Sequence, residues 1–108
     1  MSAKLDSRQI ISISADVMRA MLDACAKDID TAANILTKAV KNGRKILWCG
    51  NGGSAADAQH MATELMGGLR DHDRPAIASI ALTTDSSFLT AWSNDTDFNT
   101  IFSRQLDG

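Results

Sequence analysis

Apolar residues recur at three- and four-residue steps through the first forty positions. Ile10, Ile13, Val17, Met18, Met21, Leu22 and Cys25 form one stripe, and Ile29, Ala32, Ala33, Leu36, Ala39 and Val40 form a second. That spacing predicts two long amphipathic helices. Asp28 and Asp30 favour the start of the second, and Lys38, Lys41 and Arg44 favour its end, where cations complement the helix dipole. Asn42-Gly43 supplies the stop. The plain expectation for both stripes is burial in a core; the alternative is a subunit interface.

The period then changes. Residues 45–49 are a short apolar run met at once by a glycine turn, which predicts a strand buried on both faces in a parallel sheet. Residues 54–69 read as a helix and 70–74 as a charged loop. Pro75 opens a second strand that continues over 76–82, since a missing N–H costs least at a strand's start. Asp85 caps a short helix through Trp92, the string Asn94-Asp95-Thr96-Asp97 makes a turn, and Phe98, Ile101, Phe102 and Leu106 form a last amphipathic stripe. The order helix, helix, strand, helix, strand, helix, helix is βαβ logic and predicts an α/β fold: a parallel sheet flanked by helices, preceded by two long N-terminal helices. We divide the chain at 43/44, into a helical segment over 1–43 and the α/β part over 44–108. Two parallel strands leave both sheet edges open, so the α/β part is expected to be the front of a larger domain.

Composition narrows the function. The chain has 108 residues, 44% hydrophobic and 22% charged, with a net charge of −2. That excludes disorder by composition and argues against a nucleic-acid partner, which calls for a basic face. The longest apolar run is too short to span a bilayer, and the start of the chain has no secretory leader pattern, so no membrane association is expected. Cys25 and Cys49 are far apart and in no C-x-x-C arrangement, which predicts free thiols and a cytoplasmic location.

The chemistry concentrates where the first strand hands over to a helix. Gly50, Gly52 and Gly53 let the backbone turn tightly and approach a ligand, and Ser54 with Asp57 three residues on makes a capping-box pattern. The first helical N–H groups are then expected to face the crevice outside the strand's C-terminal end, a site for anions. Gly50, Gly52 and Ala55 satisfy G-x-G-x-x-A, but Asp71 and Asp73 fall before the second strand and Asp85 after it, which disfavours a dinucleotide. His60 and Glu64, four apart, share a helix face with Asp57 one turn earlier. Such a pair can share a metal ion, or the carboxylate can act as a base; the plain alternative is a surface pair. Asn94-Asp95 reads in isolation as a turn, His72 as solvated, and Trp48 and Trp92 as packing residues.

The string Gly50-Asn51-Gly52-Gly53-Ser54-Ala55-Ala56-Asp57-Ala58-Gln59-His60, with Glu64, resembles the phosphoheptose isomerases of bacteria, members of the SIS (sugar isomerase) superfamily. Ile80-Ala81-Leu82-Thr83-Thr84-Asp85, Asn94-Asp95 and Ile101-Phe102-Ser103-Arg104-Gln105 extend the match in order. The resemblance implies an incomplete flavodoxin-like SIS domain and a homotetramer. It implies aldose–ketose isomerisation of the phosphorylated sugar sedoheptulose 7-phosphate to glycero-manno-heptose 7-phosphate through an enediol, for lipopolysaccharide or other surface glycans. Carried onto matching positions, Asn51, Gly52 and Gly53 contact substrate with Ser54 beside them, and Asn94 and Asp95 are further substrate-binding positions. His60 and Glu64 ligate one zinc ion per subunit, and Glu64 is also substrate-binding and the catalytic base.

Two departures stand out. Gly67-Gly68-Leu69 replaces the family's Gly-Arg-aromatic ending of this helix. The family's Ser-Thr-Ser-Gly-Asn-Ser phosphate loop, and its later helix with a Gln and a His, have no counterpart in these 108 residues. The expectation is a partial phosphoheptose isomerase whose remaining zinc ligands lie in a missing C-terminal half, inactive as this chain. The alternative is a non-catalytic SIS module, such as the DnaA initiator-associating protein. That relative lacks the carboxylate four residues after the histidine, so Glu64 favours the enzyme lineage.

Overall fold

The computed structural model describes residues 4–108; Met1–Ala3, part of the start on which the expectation of no secretory leader rests, lie outside the described residues. The chain divides into two compact units, 1–37 and 38–108, with the boundary inside the second helix.

The first unit holds α1 (Ser7–Ala24) and most of α2 (Ala26–Lys41). Asp6 caps α1 in a reciprocal box: its carboxylate accepts from the Gln9 N–H at 2.8 Å, and the Gln9 side chain accepts from the Asp6 N–H at 2.9 Å. Lys38 and Lys41 stand in the last turn of α2 as expected, and Gly43 follows with φ +70°. The expected core packing is not found, because neither helix buries a residue. Ile10, Val17, Met18, Leu22, Ile29 and Ile35 are all exposed. Helical periodicity reports that one face is apolar; it does not report what covers that face.

The second unit is a parallel βαβ core with a helical flank. β1 (Ile46–Trp48) pairs with β2 (Ser79–Ala81) in the register Ile46↔Ser79, Leu47↔Ile80, Trp48↔Ala81. Hydrogen bonds from Ile46 N–H to Ala78 C=O (2.9 Å) and from Leu82 N–H to Trp48 C=O (2.8 Å) extend the ladder at both ends. The strands are shorter than the apolar runs that announced them, and 75–78 approach as irregular chain. They are also buried on one face only. Ile46 and Ser79 are buried, while Leu47 and Ile80 on the other face are 36% and 46% exposed. The Trp48 indole N–H donates to the Ser79 hydroxyl at 2.8 Å, which satisfies the buried polar side chain across the strands.

The connecting helix α3 (Gly53–Gly67) packs on both strands, with Ala58 and Ala62 as its buried residues. Its start differs from expectation. Gly52, not Ser54, is the N-cap, and no side chain caps the helix. Gly52 adopts φ +58°, ψ −122°, the first central position of a type II′ turn closed by Ser54 N–H to Asn51 C=O at 3.0 Å. The turn itself supplies the partner that a capping hydroxyl would have offered, so Ser54 lies inside the helix. At the other end Gly68 is buried in the left-handed region at φ +103°, where an added Cβ would collide with the Asp71 carbonyl. That backbone explains why glycine follows Gly67 in this chain.

Asp85 caps α4 (Ser86–Asp95) by accepting from Phe88 N–H at 2.9 Å, as expected, but the helix runs on to Asp95. Asn94 and Asp95 are therefore the last helical residues, and the turn falls at Thr96–Asp97. A 3₁₀ turn (Phe98–Thr100) leads into α5 (Ile101–Asp107). Trp92 joins these pieces: it stacks on Phe88 with ring centroids 5.8 Å apart, donates to the Thr100 hydroxyl at 2.8 Å and lies 4.8 Å under the Arg104 guanidinium. The Gln105 amide donates to Leu82 C=O at 2.9 Å and ties α5 to the end of β2.

Two pairs of variants check the ends of α3. Gly52→Ala, at positive φ, is expected to lose about 1–3 kcal/mol in urea unfolding, whereas Gly53→Ala, with open space around it, stays within about 1 kcal/mol of the parent. Gly68→Ala is expected to cost more than Gly67→Ala by about 1–3 kcal/mol, since only Gly68 combines positive φ with a backbone collision.

Candidate functional site

The C-terminal ends of β1 and β2 open on a hollow of about 540 Å³. The strand-to-helix turn supplies Gly50, Asn51 and Gly52 on one side. Thr83, just past β2, forms the floor, and Ser93 and Asn94 of α4 stand opposite. Leu89, Phe98, Ile101 and Phe102 make an apolar back wall. This is the crevice expected outside the strand ends of an open α/β sheet. It brings together Asn51, Gly52 and Asn94 from distant parts of the sequence. The lining does not include Gly53, Ser54 or Asp95; the Asp95 carboxylate instead accepts from the Asn94 amide at 2.9 Å. The sequence assigns no site role to Thr83, Ser93 or the aromatic wall. Thr83, Ile101 and Phe102 lie in strings that carry the family resemblance, and Phe98, Ile101 and Phe102 in the last amphipathic stripe.

The amides of the turn are partly engaged. Ser54 N–H bonds to Asn51 C=O, and Ala55 and Ala56 N–H groups bond to Gly52 C=O at 3.0 and 3.2 Å. Among the described residues, the amides of Gly50, Asn51, Gly52 and Gly53 have no protein partner. The free donors at the helix start are therefore the amides of the turn that leads into it and of its first residue.

His60 and Glu64 lie elsewhere on α3. His60 Nε2 stands 3.4 Å from Glu64 Oε1, with the imidazole 73% exposed and the carboxylate side chain 29% exposed. Neither lines the hollow. The helix phase gives the reason. At about 100° per residue, His60 and Glu64 are turned roughly 140° and 180° from Ala55, which does line the hollow. The same arithmetic puts Gly53, Asp57, His60 and Glu64 within roughly 60° of one another, on a stripe facing away from the sheet. Gly53, Asp57 and His60 are exposed and Glu64 half-buried, in keeping with that phase.

No group of three His, Cys, Asp or Glu side chains is placed to hold a metal ion among the described residues. His72 is not merely solvated: its Nδ1 lies 2.9 Å from the Gly67 carbonyl at the end of α3. Cys25 and Cys49 are both free thiols, Cys49 exposed. No helix among the described residues is long and apolar enough to cross a membrane.

Comparison with known proteins places these features. The chain is 52% identical over 100 residues to a phosphoheptose isomerase of Akkermansia muciniphila, covering 93% of this chain and 51% of that protein. It is 49% identical over 100 residues to one of Aquifex aeolicus, covering 93% and 52%. Among solved structures it resembles the phosphoheptose isomerase of Francisella tularensis, with TM-score 0.86 and 32% identity over 92% of this chain and 51% of that one. It also resembles that of Neisseria gonorrhoeae, with TM-score 0.73 and 40% identity over 93% and 52%. The chain spans about half the length of the curated relatives it matches. A family model described as SIS domain matches residues 11–108. The glycine turn, the His60–Glu64 stripe and the α4 wall all fall within that match, and the chain belongs to the SIS domain family.

Proposed function

We propose that this chain carries part of the catalytic site of a phosphoheptose isomerase. The observation that carries the reading is the His60–Glu64 pair on the helix that follows the Asn51-Gly52-Gly53 turn, in a chain about half identical to curated phosphoheptose isomerases. The substrate is a phosphorylated seven-carbon sugar, sedoheptulose 7-phosphate, and the product glycero-manno-heptose 7-phosphate serves lipopolysaccharide or a related glycan. The Glu64 carboxylate takes a proton from C1 of the ketose, leaving an enediolate across C1 and C2. It returns that proton to C2, while the O1 hydroxyl proton passes to O2. A positioned general base of this kind contributes roughly 10²–10⁴-fold. The Gly52 and Gly53 amides, with Asn51, Ser54, Asn94 and Asp95, orient the sugar phosphate.

Zinc belongs to the same reading, one ion per subunit. Two ligand atoms of a tetrahedral zinc with bonds of about 2.0–2.1 Å lie about 3.3 Å apart. His60 Nε2 and Glu64 Oε1 are 3.4 Å apart, so the pair fits two of the four positions. The other donors come from outside the described residues. When bound, the ion polarises the substrate oxygens and stabilises the enediolate charge. The exposed apolar faces of α1 and α2 support a homo-oligomer, a tetramer on the family's pattern, and the two free thiols suit a reducing cytoplasm. A second reading, a non-catalytic phosphosugar-binding module, is favoured by one observation: the pair stands outside the hollow.

The two readings separate by experiment. Sedoheptulose 7-phosphate added to the ¹⁵N-labelled chain is expected to shift the amide signals of Asn51, Gly52 and Gly53, without turnover. Fused to the C-terminal half of the Akkermansia muciniphila relative, the chain is expected to gain isomerase activity. Glu64→Gln in the fusion then lowers turnover about 10²–10⁴-fold. Turnover unaffected by Glu64→Gln overturns the assignment of the base; binding without turnover in the fusion favours the module.

A further inference from the structure

Glu64 begins the last turn of α3, and that turn is held from outside the helix. We propose that Arg74 is a positioning residue for Glu64: its guanidinium fixes the last turn of α3, and with it the register that sets the Glu64 carboxylate beside His60. This inference rests on the reading of His60 and Glu64 given above.

The last four carbonyls of a helix have no partner within it. In α3 these belong to residues 64–67, and the following loop returns to meet them, with Arg74 ten residues after Glu64. Arg74 Nη2 donates to both Glu64 C=O (2.9 Å) and Leu65 C=O (2.8 Å). Its Nη1 donates to Pro75 C=O at 2.9 Å, which steadies the guanidinium against its own loop. Glu64 C=O also accepts from Gly68 N–H at 3.0 Å, and Leu65 C=O from Ile77 N–H at 3.2 Å. Arg74 is thus the one charged group bridging two adjacent carbonyls here, and it does so at the negative end of the helix dipole. Hydrogen bonds from a guanidinium are roughly twice as strong as neutral ones.

Arg74 acts through the main chain, since its hydrogen bonds reach the Glu64 carbonyl and not the carboxylate. What it protects is the four-residue helical spacing that puts His60 and Glu64 on one face. The chain needs such a latch at this point. Gly68 and Leu69 follow the helix with φ +103° and +51°, so the backbone reverses immediately after the turn that carries the acid. Leu69 is the described non-glycine residue with positive φ, a conformation that persists only when its surroundings hold it.

The test uses the 108-residue chain and Zn²⁺, titrated while the His60 ring signals are followed by NMR. Arg74→Met is expected to weaken Zn²⁺ binding about tenfold or more, the usual effect of losing a group that orients a ligand. Arg74→Lys, whose ammonium can still donate to both carbonyls, restores most of the affinity. Leu82→Val trims the buried core past the C-terminal end of β2, at the far end of the sheet from the last turn of α3, and leaves the affinity unchanged. No loss in Arg74→Met, or an equal loss in Leu82→Val, overturns the proposal. A second readout needs no metal: the NOE between the His60 ring and the Glu64 side-chain protons is expected in the parent and in Arg74→Lys and absent in Arg74→Met. Its persistence in Arg74→Met overturns the proposal. A parent chain that does not bind Zn²⁺ removes zinc from the functional reading, and the NOE then decides the role of Arg74 alone. If Arg74→Met does not fold, Arg74→Gln takes its place in both measurements.

Discussion

The separation between α3 and the sheet governs the second unit. Ala58 and Ala62, four residues apart, are the buried positions of the helix, so no large side chain keeps it away from β1 and β2. A larger residue at either position would displace the helix from the strands. Close approach fixes both of its ends. At the N-terminus the chain has only residues 49–52 in which to leave the strand and enter the helix, and a type II′ turn over Asn51–Ser54 makes the entry. At the C-terminus the last carbonyls come within reach of the returning loop, where Arg74, Ile77 and His72 meet them.

The buried core is small. Among the described residues, Ile46, Ala58, Ala62, Leu82 and Ile101 are the buried apolar ones, and no large side chain is fully enclosed. Much of the order is carried instead by paired polar groups: Trp48 with Ser79, Trp92 with Thr100, Gln105 with the Leu82 carbonyl. These bonds are directional, so they select one arrangement where five modest side chains would permit several. Each is worth only about 0.5–1.5 kcal/mol net. Leu47 and Ile80 remain open on the far face of the sheet, and the stripes of α1 and α2 remain open as well. Each unit has apolar surface that its own residues leave exposed.

That imbalance explains what the sequence made legible. Periodicity gave the helices and the parallel βαβ order, because a helix stripe and a strand run are local properties. It overstated burial, because what covers an apolar face is not a local property of the sequence. Asp85 was readable as a cap because its partner, Phe88 N–H, is three residues away. Ser54 was misread for an instructive reason: the capping pattern was present, but the glycine turn ahead of it starts the helix at Gly53, so Ser54 is already a helical residue. Asn94 and Asp95 looked like a turn by residue type, yet helix packing through Trp92 carries α4 past them. Arg74 was read only as part of a charged loop. Its role depends on a return across ten residues, and no spacing rule marks such a contact.

The position of the His60–Glu64 pair bears on how an SIS helix can present chemistry. Gly53, Asp57, His60 and Glu64 recur at steps of four, three and four residues, so one exposed line runs from a free backbone amide to the carboxylate. Along the helix axis, Gly53 and Glu64 are about 16 Å apart at the Cα atoms. Side chains on a helix lean toward its N-terminus, which brings the imidazole and the acid back toward the amide. The line therefore has a backbone donor at one end and a carboxylate at the other. The hollow behind the turn, lined by Asn51 and Asn94, faces the opposite way. The two surfaces meet at Gly52, whose conformation sets the orientation of both the Asn51 side and the Gly53 amide. The glycine turn is therefore the element common to both surfaces, and a change there alters both, whereas a change at Glu64 alters one.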